Sequence, residues 1–179
     1  MKKVFQTIVD KDHGNCEQAV IASLLELSLE EVPNFIEIDR TNQKFDETKI
    51  GWLHKRGFHA CPINKSRHGV EELIKIAKFD GGYNGYLYAS VPSQTFEDVN
   101  HAVIVDTDLN IVHDPNPNQL ALNLLPDDVV SIIVLKDMVI GKTGKLYTIE
   151  EWDSIIEEER DSNTYKVKYD ENGKIIGSE

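Results

Sequence analysis

The chain has 179 residues, enough for one substantial core with a small appendage, and its 31 acidic against 19 basic residues leave a net charge of −12. That balance argues against a nucleic-acid partner and against an anionic membrane surface, since both reward clustered Lys and Arg. No stretch approaches a membrane span and Met1-Lys2-Lys3 leads into no long apolar signal core, so the expectation is a cytoplasmic chain whose two cysteines, Cys16 and Cys61, stay free thiols.

In chain order, Val4 to Ile8 reads as a short strand containing Gln6. Cys16, Ala19, Val20, Ser23, Leu24 and Leu27 recur at helical spacing and predict a helix from Cys16 to Leu27 with one buried stripe. Asn15 is placed as its N-cap, and Gln18 stands where a capping-box partner belongs. Cys16 then begins the helix, where unpaired N–H groups and the positive end of the macrodipole favour thiolate over thiol. Gly14 permits a sharp turn just before it. A capped turn is expected over Leu29 to Val32, with Ser28 and Glu31 as its cap, and a loop over 34–43. Helices are expected from Asp46 to Lys55, ending at Gly57, and from Gly69 to Lys78; strands from Phe58 to Ile63, Tyr86 to Val91, His101 to Asp106, Leu109 to His113 and Val129 to Leu135. A helical front followed by strands describes an α+β fold, with helices on one side of an antiparallel sheet.

Beyond Met138 the character changes. A helix from Ile149 to about Glu159, with Trp152, Ile155 and Ile156 as its apolar stripe, precedes a hairpin turning at Asn172-Gly173. Residues 146–179 hold ten acidic and four basic side chains, half of the net charge. The chain therefore divides into a domain over 1–137 and an acidic appendage over 138–179.

The chemistry concentrates in two places. Cys16 opens a helix, and the runs His101-Ala-Val-Ile-Val and Leu109-Asn-Ile-Val-His113 flank the turn residues Asp106-Thr107-Asp108, so the two make a hairpin. Antiparallel pairing brings the start of the first strand beside the end of the second, making His101 and Asp114 neighbours. A thiol, an imidazole and a carboxylate are the parts of a nucleophile, its base and the group that orients the base. Singly, each has a plainer reading: a small buried apolar cysteine, an edge-strand histidine, an Asp-Pro turn.

Together these residues resemble the papain-like cysteine peptidase superfamily. The features are Cys16 at a helix start after Gly-Asn, the continuation Ala-Ser-Leu-Leu-Glu-Leu toward Val32-Pro33-Asn34-Phe35, His101 opening a strand and Val-His-Asp-Pro closing the next. The likeness is greatest to the bacteriocin-processing (C39-like) branch and its small phage and bacterial relatives. It covers residues 4–136 and implies a papain-like fold with the cysteine helix packed on the sheet, and a Cys16–His101–Asp114 triad. It also implies a glutamine ahead of the cysteine as oxyanion donor. Gln6 matches, at a separation lengthened by Asp10-Lys11-Asp12, with an exposed strand glutamine as the alternative. Glu17, directly after the nucleophile, departs from that pattern, because a nearby carboxylate opposes thiolate formation.

Other groupings carry less. His54, His59, Cys61 and His68 crowd a short span without the paired spacing of zinc ligands, so no metal is expected. No dinucleotide or phosphate-binding glycine signature occurs, so no cofactor is expected. His113 is expected to pack or to be solvated. The reading is a cysteine-nucleophile hydrolase acting on a peptide or amide bond, with 35–45, 81–85 and 93–99 as cleft walls. The alternative is a non-catalytic module of the same scaffold that binds a peptide, small molecule or partner protein.

Overall fold

In the computed structural model, which describes residues 1–42, 45–63, 69–134, 138–140, 146–148, 151, 167–169 and 175–178, the apolar run after Asn15 forms helix α1 (Cys16–Leu24). Glu17 and every residue from Ala19 to Leu24 are buried, so α1 is a central helix rather than the one-striped helix expected. Its apolar residues are contiguous, and a helix apolar all round belongs inside. It ends three residues before the predicted Leu27, where Glu26 takes a positive φ of 59°.

The predicted strand over Val4 to Ile8 does not form. Its N–H groups find other acceptors: Val4 donates to Ser23 Oγ (2.9 Å), Gln6 to the Pro115 carbonyl (2.9 Å), and Thr7 and Ile8 to Asn15 Oδ1 (3.1 and 2.9 Å). Extended backbone satisfied by side chains looks the same in sequence as a strand. The 3₁₀ turn Leu29–Glu31 follows, with the Ser28 N–H on the Glu31 carboxylate at 2.7 Å as its capping pattern predicts. The expected loop over 34–43 is instead helix α2 (Phe35–Asn42). Asn34 starts it by accepting the Glu37 N–H on its side chain and the Ile38 N–H on its carbonyl.

Helices α3 (Phe45–His54) and α4 (Val70–Asp80) and strands β1 (Phe58–Ile63), β2 (Tyr86–Pro92), β3 (Asn100–Asp106), β4 (Ile111–His113) and β5 (Asp128–Val134) fall within two residues of their expected bounds. Gly81, in the left-handed region at φ 76°, closes α4, a conformation that a Cβ would strain. The sheet order is β1-β5-β2-β3-β4, and β2 pairs antiparallel with both β3 and β5, as β3 does with β4. The β3–β4 turn is organised by Asp106, whose carboxylate accepts the N–H groups of Asp108 and Asn110, each at 2.9 Å.

Leu87, Ala89, Val91, Val103 and Val105 form one sheet face and pack with Leu73 and Ala77 of α4. Ala102 and Ile104 on the opposite face are buried as well, and α1 packs on β3 and β2. Burial of both faces corrects the one-sided arrangement, and the unbroken run Ala-Val-Ile-Val is what a strand covered on both faces requires.

The chain forms two compact units, one from Met1–Asp46 with Cys61–Ile132, the other from Glu47–Ala60 with Ile133–Glu179. The second contains the antiparallel pairs β6 (Met138–Ile140) with β7 (Leu146–Thr148), and β8 (Val167–Tyr169) with β9 (Ile175–Ser178). The last pair lies on either side of the predicted turn, whose Asn172 and Gly173 fall outside the described residues. Trp152, Ile155 and Ile156 of the expected tail helix lie outside the described residues. No helix among the described residues is long and apolar enough to cross a membrane.

Candidate active site

The β3–β4 register pairs Ile104 with His113, so these two share a sheet face. By two-residue alternation His101 and Asp114 fall on the other. There His101 Nε2 donates to Asp114 Oδ1 at 2.7 Å. The carboxylate is held from three sides, since Oδ1 also accepts the Asn116 N–H (2.8 Å) and Oδ2 the Ala121 N–H (2.9 Å). With Nε2 committed to Asp114, Nδ1 is left for a second partner, and the ring lies within hydrogen-bonding reach of Cys16.

Cys16 is placed by the loop ahead of it. Gly14 passes so close to the Asp10 carbonyl oxygen that a Cβ there would sit 2.6 Å from it, so the tight turn needs glycine. Asn15 does not cap the helix with its side chain, contrary to expectation. Its Oδ1 takes the Thr7 and Ile8 N–H groups, while Nδ2 donates to Thr7 Oγ1 (3.2 Å) and Gln18 Oε1 (3.0 Å). Gln18 in turn donates to the Leu29 (2.8 Å) and Val32 (2.6 Å) carbonyls, and it meets the Asn15 side chain rather than the Asn15 N–H, which goes to the Ile8 carbonyl. Two residues read as caps thus bind the N-terminal segment, the helix start and the following turn into one unit. As the first helical residue, Cys16 keeps its N–H ahead of the i→i−4 ladder.

His113 packs, the first of its two expected outcomes. It is buried, donates from Nε2 to the Val4 carbonyl at 2.8 Å and meets the Phe5 ring edge-on with centroids 5.2 Å apart. Burial is the main influence lowering its pKa, which keeps it a neutral anchor. With the Gln6–Pro115 bond, it fastens the segment carrying Gln6 beside Asp114. Gln6 is buried and lines the cleft with Cys16 and His101; its Nε2 donates to the Ile8 carbonyl at 3.2 Å, leaving that nitrogen one further hydrogen.

Burial is the largest influence on His101 and opposes its charge. The hydrogen bonds to Asp114 and Cys16 and their negative charge together outweigh it, raising the pKa from 6.5 to about 9. Burial likewise pushes Asp114 up, but His101 and the Ala121 and Asn116 N–H groups prevail and hold it below 3.8. Because the folded His101 pKa lies above the unfolded one, its stabilisation is complete below pH 6.5 and is lost as pH rises through about 9. Melting temperature is expected to fall through that alkaline window, and the step should vanish in His101→Gln.

The cleft encloses about 200 Å³ and is walled by the 9–12 loop, Ile36, Ser93 to Phe96 and Leu120. Gly81 to Gly85, expected as a wall, do not line it; that segment closes a tight turn in which Tyr83 and Tyr86 exchange backbone hydrogen bonds. Glu17 is buried and does not line the cleft either. One residue further along a helix is rotated about 100°, so its carboxylate does not share the sulfur's outlook.

Elsewhere, His54 Nε2 and His59 Nδ1 bond each other at 2.9 Å. Burial, then the charge of His59, lowers His54 to about 4, and burial lowers His59. Burial and the Asp80 charge push the Cys61 thiol up. No group of three or more metal-ligating side chains occurs among the described residues, and His68 lies outside them.

The fold and site define an α+β protein with a thiol, imidazole and carboxylate in series. Against protein-family models, curated proteins and solved structures the chain has no match.

Proposed function

We propose that this protein is a papain-like cysteine hydrolase acting on a peptide or amide bond. The observation that carries the reading is the relay itself: Asp114 on His101 Nε2 at 2.7 Å, with the same ring in reach of Cys16 at the start of α1. Cys16 thiolate attacks the carbonyl carbon and the carbonyl electrons move onto oxygen, where the Cys16 N–H and the second Gln6 Nε2 hydrogen donate to the oxyanion. His101, protonated at neutral pH, gives its proton to the leaving nitrogen as the C–N bond breaks, and a Cys16 thioester remains. The imidazole then takes a proton from water, hydroxide displaces the thiolate, and the acid product leaves. Asp114 holds the ring so that one nitrogen faces the sulfur throughout.

The test is alkylation by iodoacetamide at pH 6. Cys16 is expected to react at least about tenfold faster than Cys61, whose thiol is held protonated. His101→Ala should remove the advantage. Equal rates at the two cysteines, or an undiminished rate without His101, would refute the activated pair.

A further inference from the structure

Bulky apolar side chains exposed to solvent are concentrated in two short stretches. Eight are exposed among the described residues, and six of them (Phe5, Ile8, Val9, Leu120, Leu122 and Leu125) lie on segments 5–9 and 120–125. Val9 is 48% and Leu120 51% accessible, and these two, one from each segment, line the cleft that holds Cys16 and His101. Ile36, Phe96 and Val99 continue the apolar lining. Single exposed apolar residues are ordinary, but two of them joined by Ile36, Phe96 and Val99 in the lining of one cleft mark a surface that is covered in use.

A second observation is independent of the first. Gln6 lines the same cleft, and its carboxamide oxygen is buried without a hydrogen-bond donor. Buried acceptors are nearly always satisfied, so this one suits a ligand that brings an N–H. Apolar groups for the cleft lining together with an N–H are what an extended polypeptide offers. A sugar or a small polar amide lacks the apolar groups.

We infer that the cleft takes an extended polypeptide bearing bulky apolar side chains beside the bond presented to Cys16, held by Val9 and Leu120. This specifies the substrate class and rests on the reading of Cys16 as nucleophile.

Fluorescein-labelled decapeptide pools, degenerate except for Leu or Asp at the two positions flanking the central bond, test it in two arms. The first measures anisotropy with the full-length Cys16→Ala protein. Leu pools are expected to bind about tenfold or more tightly than Asp pools, the scale a fitted apolar pocket supplies. Adding Val9→Lys or Leu120→Lys should erase most of that preference. Both sites are half exposed, and an unchanged melting temperature in each single variant would show the fold intact. The second arm follows cleavage by the unmodified protein. Equal binding of the two pools, no binding of either, or a preference untouched by both lysines overturns the inference. Preferential binding without cleavage would leave it standing and refute hydrolysis; cleavage of both pools alike would do the reverse.

Discussion

Replacing Cys16 with alanine is expected to abolish turnover, by about 10⁶ in rate, as loss of the nucleophile does where the catalytic groups act as a unit. The fold should survive. Cys16 is partly exposed and makes up the first residue of α1, so removing its sulfur is expected to change stability by less than about 1 kcal/mol. Rate by mass-spectrometric product analysis and stability by thermal melting separate the two effects. Residual turnover above about one part in a thousand would exclude Cys16 as the nucleophile. The further His101→Ala change in the alanine background is expected to lower the rate little more, because a base without its nucleophile has nothing to activate.

Asp114→Ala has the other large expected effect, and it strikes stability and rate together. The carboxylate is buried and accepts three hydrogen bonds, so alanine strands the His101 Nε2–H and the Asn116 and Ala121 N–H groups. Breaking a buried charged pair from one side costs about 3–5 kcal/mol. Turnover is expected to fall by about 10² to 10⁴ as the imidazole loses its orientation and the support for its charge. Asp114→Asn retains an acceptor for His101 and is expected to restore part of the stability. It should still shift the alkaline limb of the rate profile downward from about pH 9, since the negative charge that helped raise His101 is gone. An alkaline limb that stays in place would show that Asp114 does not set the state of His101.

Much of this architecture is written in local pattern. The strand bounds from Phe58 to Val134 follow from short apolar runs punctuated by glycine and aspartate, signals that act over a few residues. The His101–Asp114 pairing was readable because a short turn between two such runs makes a hairpin, and a hairpin determines which residues meet. Cys16 at a helix start was readable from Gly14, Asn15 and the apolar residues that follow.

Other features depend on partners far away in the chain. The contiguous apolar residues of helix α1 mark it as an inside helix, but nothing within residues 16–24 says that β2, β3 and the N-terminal segment are what cover it. Asn15 and Gln18 have the spacing of caps, yet a carboxamide bonds whatever backbone is near, here Thr7, Ile8, Leu29 and Val32. His113 became the anchor of the Gln6 segment only because residue 4 lies 109 positions away in sequence and 2.8 Å away in space. The gathering of Val9 and Leu120 at one cleft is of the same kind. Local sequence determined which groups sit on helix starts, strand ends and turns, since those preferences are short-range; tertiary packing decided which polar atoms satisfy one another and which apolar side chains rim the site, since both depend on burial that no short window contains.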